Sequence, residues 1–376
     1  MAYQKLKGDH LFDGKKLWGG EKVLVLDQEG NEIDIITLEE AGDEVEYIEG
    51  LITPGFVNAH CHLELSHLKN AIDPNTRLVP FLLQVVSKRN FPEREIHKAI
   101  SDAILEMEND GIIGVGDICN TAVTAAYKTS GKIQWRNFIE VLSFTDARAV
   151  ENFSKYQLVL IQFEELTPGI SSLSPHAPYS ISEAAFKMIN DVTQNKTISI
   201  HNQETSAENE LYQTGEGEFL KLYAQFGFQG SPFPVTGTTS IRRYLPHFTR
   251  GQKIILVHNT FMPEEDIIWA NDYANKHGLT LVYCLCVNAN LYIENHLPPI
   301  EYFIKHGCDI VLGTDSYSSN WNLKITEEIL TIKKHFPAIP IEQILQWATT
   351  NGATALGMKK KWITGSDLIK RMEHRQ

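Results

Sequence analysis

Short runs of aliphatic and β-branched residues alternate along most of the chain with longer stretches in which apolar positions recur at helical spacing. Eight of the short runs have the length and composition of buried strands. Strands that alternate with helices predict parallel βαβ units and an α/β fold. Eight such units predict a TIM-type (β/α)8 barrel, in which functional side chains gather at the C-terminal strand ends. The runs occupy residues 51–62, 114–118, 136–142, 170–174, 197–200, 253–257, 279–287 and 309–314.

Four of these runs end in side chains that can bind a metal ion: His60 and His62, then His201, then His258, then Asp315. Side chains two residues apart on a strand point the same way, so His60 and His62 can share one ion. Any one of the 14 histidines is structural by default, and an isolated His-x-His motif is weak. Repetition of the same context at four strand ends predicts one divalent metal at the mouth of the barrel.

Longer motifs around these residues resemble the amidohydrolase superfamily. The resemblance is to the branch of metal-dependent aminohydrolases and chlorohydrolases that contains guanine, cytosine and S-adenosylhomocysteine deaminases. The continuation LELS at 63–66 also resembles the aminofutalosine deaminases of that branch. The resemblance spans about residues 50–357 and rests on PGFVNAHCH at 54–62, SPHAPYS at 174–180, HNQET at 201–205, VHN at 257–259, NANL at 288–291, and GTDS at 313–316 followed by Ser319 and Asn320.

By this resemblance, four residues bind the metal: His60, His62, His201 and Asp315. The fourth predicted strand carries no lysine to bridge two ions, so a single ion is expected, and zinc is the expected metal. His258 matches a histidine that lies near the bound water in single-metal relatives and binds the second ion in two-metal relatives. Direct ligation by His258 therefore stays open.

The resemblance also implies catalytic and binding roles. Because a divalent ion lowers the pKa of bound water from about 15.7 towards 7, Asp315 is expected to take a proton from that water. Glu204 is expected to pass a proton to a ring nitrogen or leaving group, and His258 to stabilise developing charge. His176 is expected to bind substrate. The structural alternatives are a carboxylate at a helix N-terminus for Glu204 and a loop-stabilising hydrogen bond for His176.

Three functions remain as hypotheses. The first is hydrolytic deamination of an amino-heterocycle, with purines, pyrimidines, nucleosides and aminofutalosine as candidate substrates. The second is hydrolysis of a cyclic amide, formimino group or halogenated ring by the same metal-activated water. The third, from a different class, is a non-catalytic barrel that only binds; it is disfavoured because every expected ligand is present.

Composition and charge limit the classes of molecule that this protein is expected to bind. A formal net charge of −13 disfavours nucleic acid, and no apolar run approaches the roughly 20 residues that cross a bilayer. Five cysteines, all in or beside predicted strands, indicate small buried residues of a reduced cytoplasmic protein. A small-molecule substrate is therefore expected, with neither nucleic acid nor membrane as a partner. A homo-oligomer stays open.

Outside the barrel, 22–26 and 32–36 read as two strands joined by an acidic turn, which resembles the small β domain of the family. We therefore predict a small β domain at 1–50, the metal-dependent hydrolase barrel at 51–357 and a C-terminal segment at 358–376. Either that last segment returns to the small domain, or the small domain has fewer strands than in the family. The long connection 205–252 predicts a helix over 209–226, with Arg242 and Arg243 as solvated charges.

Overall fold

A computed structural model describes residues 3–374 of the chain. Its strands are β1 (Gln4–Phe12), β2 (Leu17–Trp18), β3 (Lys22–Leu26), β4 (Glu32–Thr37), β5 (Glu46–Pro54), β6 (Phe56–Cys61), β7 (Ile112–Cys119), β8 (Gln134–Val141), β9 (Ser171–Pro175), β10 (Thr197–Asn202), β11 (Lys253–His258), β12 (Thr280–Leu285), β13 (Ile310–Leu312) and β14 (Trp362–Ser366).

Helices connect most of these strands. The α-helices are α1 (Leu38–Ala41), α2 (Leu78–Lys88), α3 (Glu93–Asn109), α4 (Ala149–Leu166), α5 (Glu183–Val192), α6 (Ser206–Thr214), α7 (Phe219–Gln225), α8 (Ser240–Tyr244), α9 (Glu264–His277), α10 (Val287–Glu294), α11 (Ile300–Lys305), α12 (Ile325–His335), α13 (Ile341–Gln346), α14 (Gly352–Leu356) and α15 (Leu368–Glu373). Shorter turns are 3-10 at Leu63–Leu68, Ala125–Lys128, Asp146–Arg148, Pro178–Ser180 and Leu245–His247, and π-helical at Trp347–Asn351.

Two four-stranded sheets carry the eight predicted strands. Their orders are β6-β7-β8-β9 and β10-β11-β12-β13, and every pairing within them is parallel. These strands are nearly continuous apolar runs because helices cover parallel sheets on their faces. All eight residues of β7, for example, are buried. The predicted α/β fold with parallel strands is confirmed.

The two parallel sheets also contact each other at both ends of the strand order. Between β9 and β10, the backbone N–H of His201 donates to the carbonyl of His176 at 3.0 Å. Between β6 and β13, the backbone N–H groups of Thr314 and Asp315 donate to the carbonyl of His60 at 3.1 and 3.0 Å. The side chain of Asn58 adds two hydrogen bonds to Thr314, at 2.7 and 3.0 Å. These contacts fix the strand ends that carry the candidate ligands.

A third sheet gathers the N-terminal strands in the order β14-β5-β1-β3-β4, with β2 paired to β1. The two strands read from the sequence at 22–26 and 32–36 form its antiparallel pair β3–β4. β14, which comes from the C-terminal segment, pairs antiparallel with β5. β5 crosses the predicted boundary at residue 50, so the division into domains stays a prediction.

The connection between β10 and β11 differs from the single helix predicted over 209–226. Two helices, α6 and α7, form instead, and the chain breaks between them at Gly215 and Gly217. Both glycines have positive φ, 76° and 97°, which side chains with a Cβ rarely adopt. The predicted single helix was wrong because one left-handed residue ends a helix whatever the apolar period on either side.

The prediction that Arg243 is a solvated charge is also wrong. Its side chain is only 5% exposed and donates to Glu183 on α5 at 2.6 Å. Its guanidinium carbon lies 5.4 to 5.9 Å from the ring centroids of Phe186, Tyr212 and Phe233. Arg243 therefore ties the long connection to the body of the fold.

Its neighbour Arg242 is partly exposed and donates to Asp266 at 2.7 Å.

No helix within residues 3–374 is long and apolar enough to cross a membrane.

We expect Arg243→Ala to lower the free energy of unfolding by about 1 to 3 kcal/mol, because it removes an ion pair and three cation–π contacts. Glu183 is 49% exposed, so the substitution strands no buried charge. Chemical denaturation of the purified variant measures the change. Lys187→Ala, at an exposed position of the same helix α5, serves as the control and should match wild type. Equal stability of Arg243→Ala and the control would contradict the anchoring role.

Candidate metal centre and active site

The structure brings the predicted ligands to one end of the parallel strands. His60 is the next-to-last residue of β6, and His62 directly follows that strand, while His201 and His258 lie at the ends of β10 and β11. Asp315 follows β13 and forms a parallel bridge with Cys61. Strand register places Asn202 beside His258, so the two neighbouring strands present their histidines at nearly the same height.

The ligand atoms converge on one point. Nε2 of His62 lies 3.2 Å from Nε2 of His60, 3.3 Å from Nε2 of His201 and 3.3 Å from Oδ1 of Asp315. Nε2 of His60 lies 3.5 Å from the same Oδ1. A tetrahedral ion with bonds of about 2.0 to 2.1 Å separates its ligand atoms by roughly 3.3 to 3.4 Å. These spacings fit a single divalent ion.

A ring nitrogen of His258 lies within 4.8 Å of ligand atoms of His60, His201 and Asp315. Its Nδ1 is 2.9 Å from Oδ1 of Asn290, and its Nε2 is buried and without a hydrogen-bond partner among the described residues. Nε2 therefore faces the same point as the four predicted ligands, and the choice between ligand and water contact stays open.

The electrostatics of the cluster also suit a cation. Burial lowers the pKa of all four clustered histidines, to about 4 for His62, so their rings are neutral at pH 7 and available as ligands. Burial alone would raise the pKa of Asp315. The hydrogen bond with His60 and the nearby histidines outweigh burial and hold that pKa well below its usual value. The centre thus combines neutral imidazoles with one carboxylate.

Neighbouring groups fix the orientation of the ligands. Nδ1 of His201 donates to the carbonyl of His176 at 2.8 Å, which leaves Nε2 of His201 with its lone pair towards the centre. Oδ2 of Asp315 accepts a hydrogen bond from Oγ of Ser319 at 2.5 Å, while Oδ1 stays with the histidines. Ser319 therefore orients the carboxylate of Asp315.

Local backbone geometry at the strand ends is unusual. His258 and Asp315 have φ of 72° and 60°, in the left-handed region that non-glycine residues rarely occupy. Gly313 allows the close approach of β13 to β6, because an added Cβ would lie 2.9 Å from Cβ of His60 and 2.9 Å from Sγ of Cys284. A non-glycine residue held in the left-handed region costs about 1 to 3 kcal/mol, and such residues typically occur at functional sites.

Glu204 lies opposite the histidines, with its Oε1 3.6 Å from Nε2 of His258. Burial, followed by the nearby carboxylates, raises the pKa of Glu204 well above its usual value. The helix N-terminus that follows is capped by Thr205, whose side chain accepts a hydrogen bond from the backbone N–H of Ala207. Helix capping therefore leaves the carboxyl group of Glu204 free for another role.

His176 reaches the same cavity, with its ring centroid 4.9 Å from that of His201. Its Nδ1 lies 2.6 Å from Oγ of Ser180, and burial lowers its pKa to about 3. Tyr179 lines the cavity and also packs against Phe219, with the ring centroids 4.4 Å apart. Six of the seven residues predicted from sequence line this one cavity, and the seventh, His60, is fully buried beside His62. Their roles stay predictions.

A buried ion pair beneath the centre was not foreseen. Lys128 and Asp117 form it with both side chains fully buried, and Lys128 also donates to Oδ1 of Asn137 at 2.8 Å. Asp117 in turn accepts a hydrogen bond from the backbone N–H of Leu63 at 2.8 Å. The pair therefore holds the chain directly after His62.

Apolar side chains form the cavity walls, and sequence reasoning missed them. Helices α2 and α7 contribute most of them, although they are far apart in sequence and distant from any ligand motif. Glu140 and Asn120 add polar groups; a carboxylate in the apolar run 136–142 was the one available sequence signal. The apolar lining residues are Leu65, Leu78, Phe81, Leu82, Val85, Val86, Leu142, Phe144, Leu222 and Phe226.

The chain is similar to known proteins over most of its length. Residues 51–362 match the Amidohydrolase family. Aminodeoxyfutalosine deaminase of Deinococcus radiodurans is 25% identical over 329 residues, covering 83% of this chain and 75% of that protein. A 5-methylthioadenosine/S-adenosylhomocysteine deaminase of Syntrophomonas wolfei is also 25% identical over 329 residues, covering 82% of this chain and 68% of that protein.

Solved structures share the fold. Aminofutalosine deaminase of Helicobacter pylori superposes with a TM-score of 0.81 at 18% identity, covering 100% of this chain and 97% of that chain. An adenosine deaminase from Xanthomonas campestris with bound zinc gives a TM-score of 0.73 at 19% identity, covering 96% and 82% of the two chains.

We expect purified protein to hold close to one zinc or similar ion per chain, since the four predicted donors converge on one point at the required spacing. His62→Ala should at least halve the metal content, measured by elemental analysis after equilibration with limiting zinc. His335→Ala, an exposed histidine at the end of α12, is the control and should keep full occupancy. Native protein that holds no metal and takes up none would rule out the centre.

Proposed function

The chain belongs to the amidohydrolase family, and we propose that it is a metal-dependent hydrolase that releases ammonia from an amino-heterocycle. The observation that carries the proposal is the convergence of His60, His62, His201 and Asp315 at ligand spacing beside a buried Glu204. The deaminase names of the relatives support an amino-heterocycle, with nucleosides such as aminofutalosine and methylthioadenosine among the candidates.

The same proposal includes the architecture around the site. The eight parallel strands form one (β/α)8 barrel within 51–357, supported by the hydrogen bonds that join β9 to β10 and β6 to β13. Residues 1–50 form a small β domain, and the pairing of β14 with β5 supports the return of 358–376 to that domain. Zinc is the proposed ion, supported by the three imidazoles and one carboxylate of the centre.

His60, His62, His201 and Asp315 would hold the divalent ion, which would lower the pKa of a water molecule towards 7 and so supply a nucleophile. Asp315 accepts the proton of that water at a carboxylate oxygen, with Oδ2 held in place by Ser319. Burial raises the pKa of Glu204, which favours its protonated form, and Glu204 donates this proton to a ring nitrogen or to the leaving amine.

His258 assists from the other side. With Nδ1 donating to Asn290, the lone pair on Nε2 accepts a hydrogen bond from the water and orients it. His176 contacts the substrate from the rigid loop that follows β9, where Ser180 holds its ring.

Zinc-loaded protein should release ammonia from at least one member of a panel of adenosine, 5′-methylthioadenosine, S-adenosylhomocysteine, aminodeoxyfutalosine, guanine and cytosine. A coupled ammonia assay measures the release, and the His62→Ala variant gives the background. Products with an opened ring or a released halide from other substrates, without ammonia from this panel, would favour the sibling hydrolase function instead.

Glu204→Gln should lower kcat by roughly 10²- to 10⁴-fold, the usual contribution of a positioned acid or base, while its metal content stays at the wild-type level. Glu210→Gln, an exposed carboxylate on α6, provides the matched control and should keep wild-type turnover. Loss of metal from Glu204→Gln would show that Glu204 is a ligand and not a proton carrier.

A further inference from the structure

Thr314 is a buried threonine directly before the candidate ligand Asp315, and each of its polar groups is hydrogen bonded. It is 0% exposed and does not line the cavity. Its backbone N–H lies 3.0 Å from Oδ1 of Asn58 and 3.1 Å from the carbonyl of His60. Its carbonyl accepts a hydrogen bond from Nδ2 of Asn320 at 2.8 Å. Such bonding is usual for buried polar groups, so the partners of the side-chain hydroxyl are what distinguish Thr314.

The hydroxyl of Thr314 accepts one hydrogen bond and donates another, and the geometry settles both directions. Because the backbone N–H of Thr314 can only donate, the atom of Asn58 that faces it is the amide oxygen. Nδ2 of Asn58 therefore faces Oγ1 of Thr314, at 2.7 Å, and donates to it. The single hydrogen of the hydroxyl is then free to donate to the backbone carbonyl of Asp315, which lies 3.2 Å away.

That carbonyl belongs to a residue in an unfavourable backbone conformation. Asp315 has φ of 60°, and a non-glycine residue there costs about 1 to 3 kcal/mol and persists only where its surroundings hold it. The backbone N–H of Asp315 donates to the carbonyl of His60 at 3.0 Å. The hydroxyl of Thr314 bonds the other end of the same residue, so the two contacts together fix its backbone.

The backbone conformation of Asp315 determines where its carboxylate lies. Oδ1 is 3.3 Å from Nε2 of His62 and 3.5 Å from Nε2 of His60, which suits ligands of one ion. Rotation about the N–Cα bond moves the side chain together with the carbonyl. A hydrogen bond that holds the carbonyl of Asp315 therefore also holds Oδ1 beside the imidazoles.

We propose that Asn58 and Thr314 are positioning residues that form a clamp, which holds Asp315 in its left-handed conformation and so keeps its carboxylate at ligand spacing. The clamp joins β6 to the segment after β13. Neither residue lines the cavity, so the clamp acts through Asp315 and not through contact with substrate. The proposal rests on the proposed function, because it takes Asp315 as a metal ligand and as the base.

Thr314→Val tests the clamp with little change in shape, because valine keeps the branched side chain and loses the hydroxyl. Thr314→Ser is the conservative variant that keeps the hydroxyl. Thr53→Val is the matched control. Thr53 is also 0% exposed, and its hydroxyl likewise donates to the carbonyl of the next residue, Pro54, at 3.0 Å, but it lies on β5 in the N-terminal sheet.

The experiment measures zinc affinity by competition with a chelator, the visible absorption spectrum of cobalt-loaded protein, and kcat and KM for a panel substrate at saturating zinc. Thr314→Val should bind zinc roughly 10- to 100-fold more weakly, the usual effect of losing a group that orients a ligand. Its cobalt spectrum should differ from that of wild type, and kcat should fall by about 10-fold or more with little change in KM. Thr314→Ser and Thr53→Val should match wild type in all four quantities.

Asn58→Ala removes the same hydrogen bond from the other side and should also weaken zinc binding. It tests the clamp independently of whether Thr314→Val folds. Because both substitutions remove one bond, their effects should not add, and the double variant should bind zinc within about 3-fold of Asn58→Ala. Additive losses would show that the two residues act separately and would overturn the clamp.

Wild-type zinc affinity and a wild-type cobalt spectrum in Thr314→Val overturn the proposal. Equal weakening of zinc binding in Thr53→Val also overturns it, since the effect would then be a general loss of stability. So does a Thr314→Ser variant as impaired as Thr314→Val, because the hydroxyl would not be the group responsible. Failure of the proposed function has a different signature: the panel yields no ammonia, while zinc affinity and the cobalt spectrum still separate Thr314→Val from Thr314→Ser and Thr53→Val.

Discussion

The contact between β6 and β13 is the constraint on which the site depends. Asp315 is separated from His60 by more than 250 residues of chain, and the backbone hydrogen bonds from Thr314 and Asp315 to the carbonyl of His60 place them side by side. Gly313 makes the approach possible, since any Cβ there would collide with His60 and Cys284. Without this junction, the carboxylate could not meet the imidazoles at 3.3 to 3.5 Å.

Burial turns that junction into a functional centre. The clustered imidazoles are neutral because ionised rings would lose their hydration, and one carboxylate among them keeps its charge through the hydrogen bond with His60 and the nearby imidazoles. The same burial raises the pKa of Glu204. One environment therefore sets ligands, a base and a proton carrier to different protonation states at the same pH, which is the arrangement that acid–base chemistry requires.

Much of the fold followed from local pattern. The eight strands and the pair β3–β4 appear where the apolar runs place them, because length and β-branched composition are local properties. Membership of the amidohydrolase family is confirmed. The single helix over 209–226 and the solvated Arg243 were wrong. The first error is local, because Gly215 and Gly217 adopt positive φ and end the helix. The second has a tertiary origin, because three aromatic rings from separate segments enclose the guanidinium.

The sequence by itself determined the strand order of the ligand residues and the chemical types of the donors, because each lies in a short motif at the end of an apolar run. Only the tertiary structure decided what surrounds them. Glu140 meets Asn120 through a side-chain hydrogen bond of 3.0 Å, and Nδ1 of His201 meets the backbone carbonyl of His176 at 2.8 Å. The apolar walls from α2 and α7 meet only after folding. Such contacts join residues distant in sequence, and no local period encodes them.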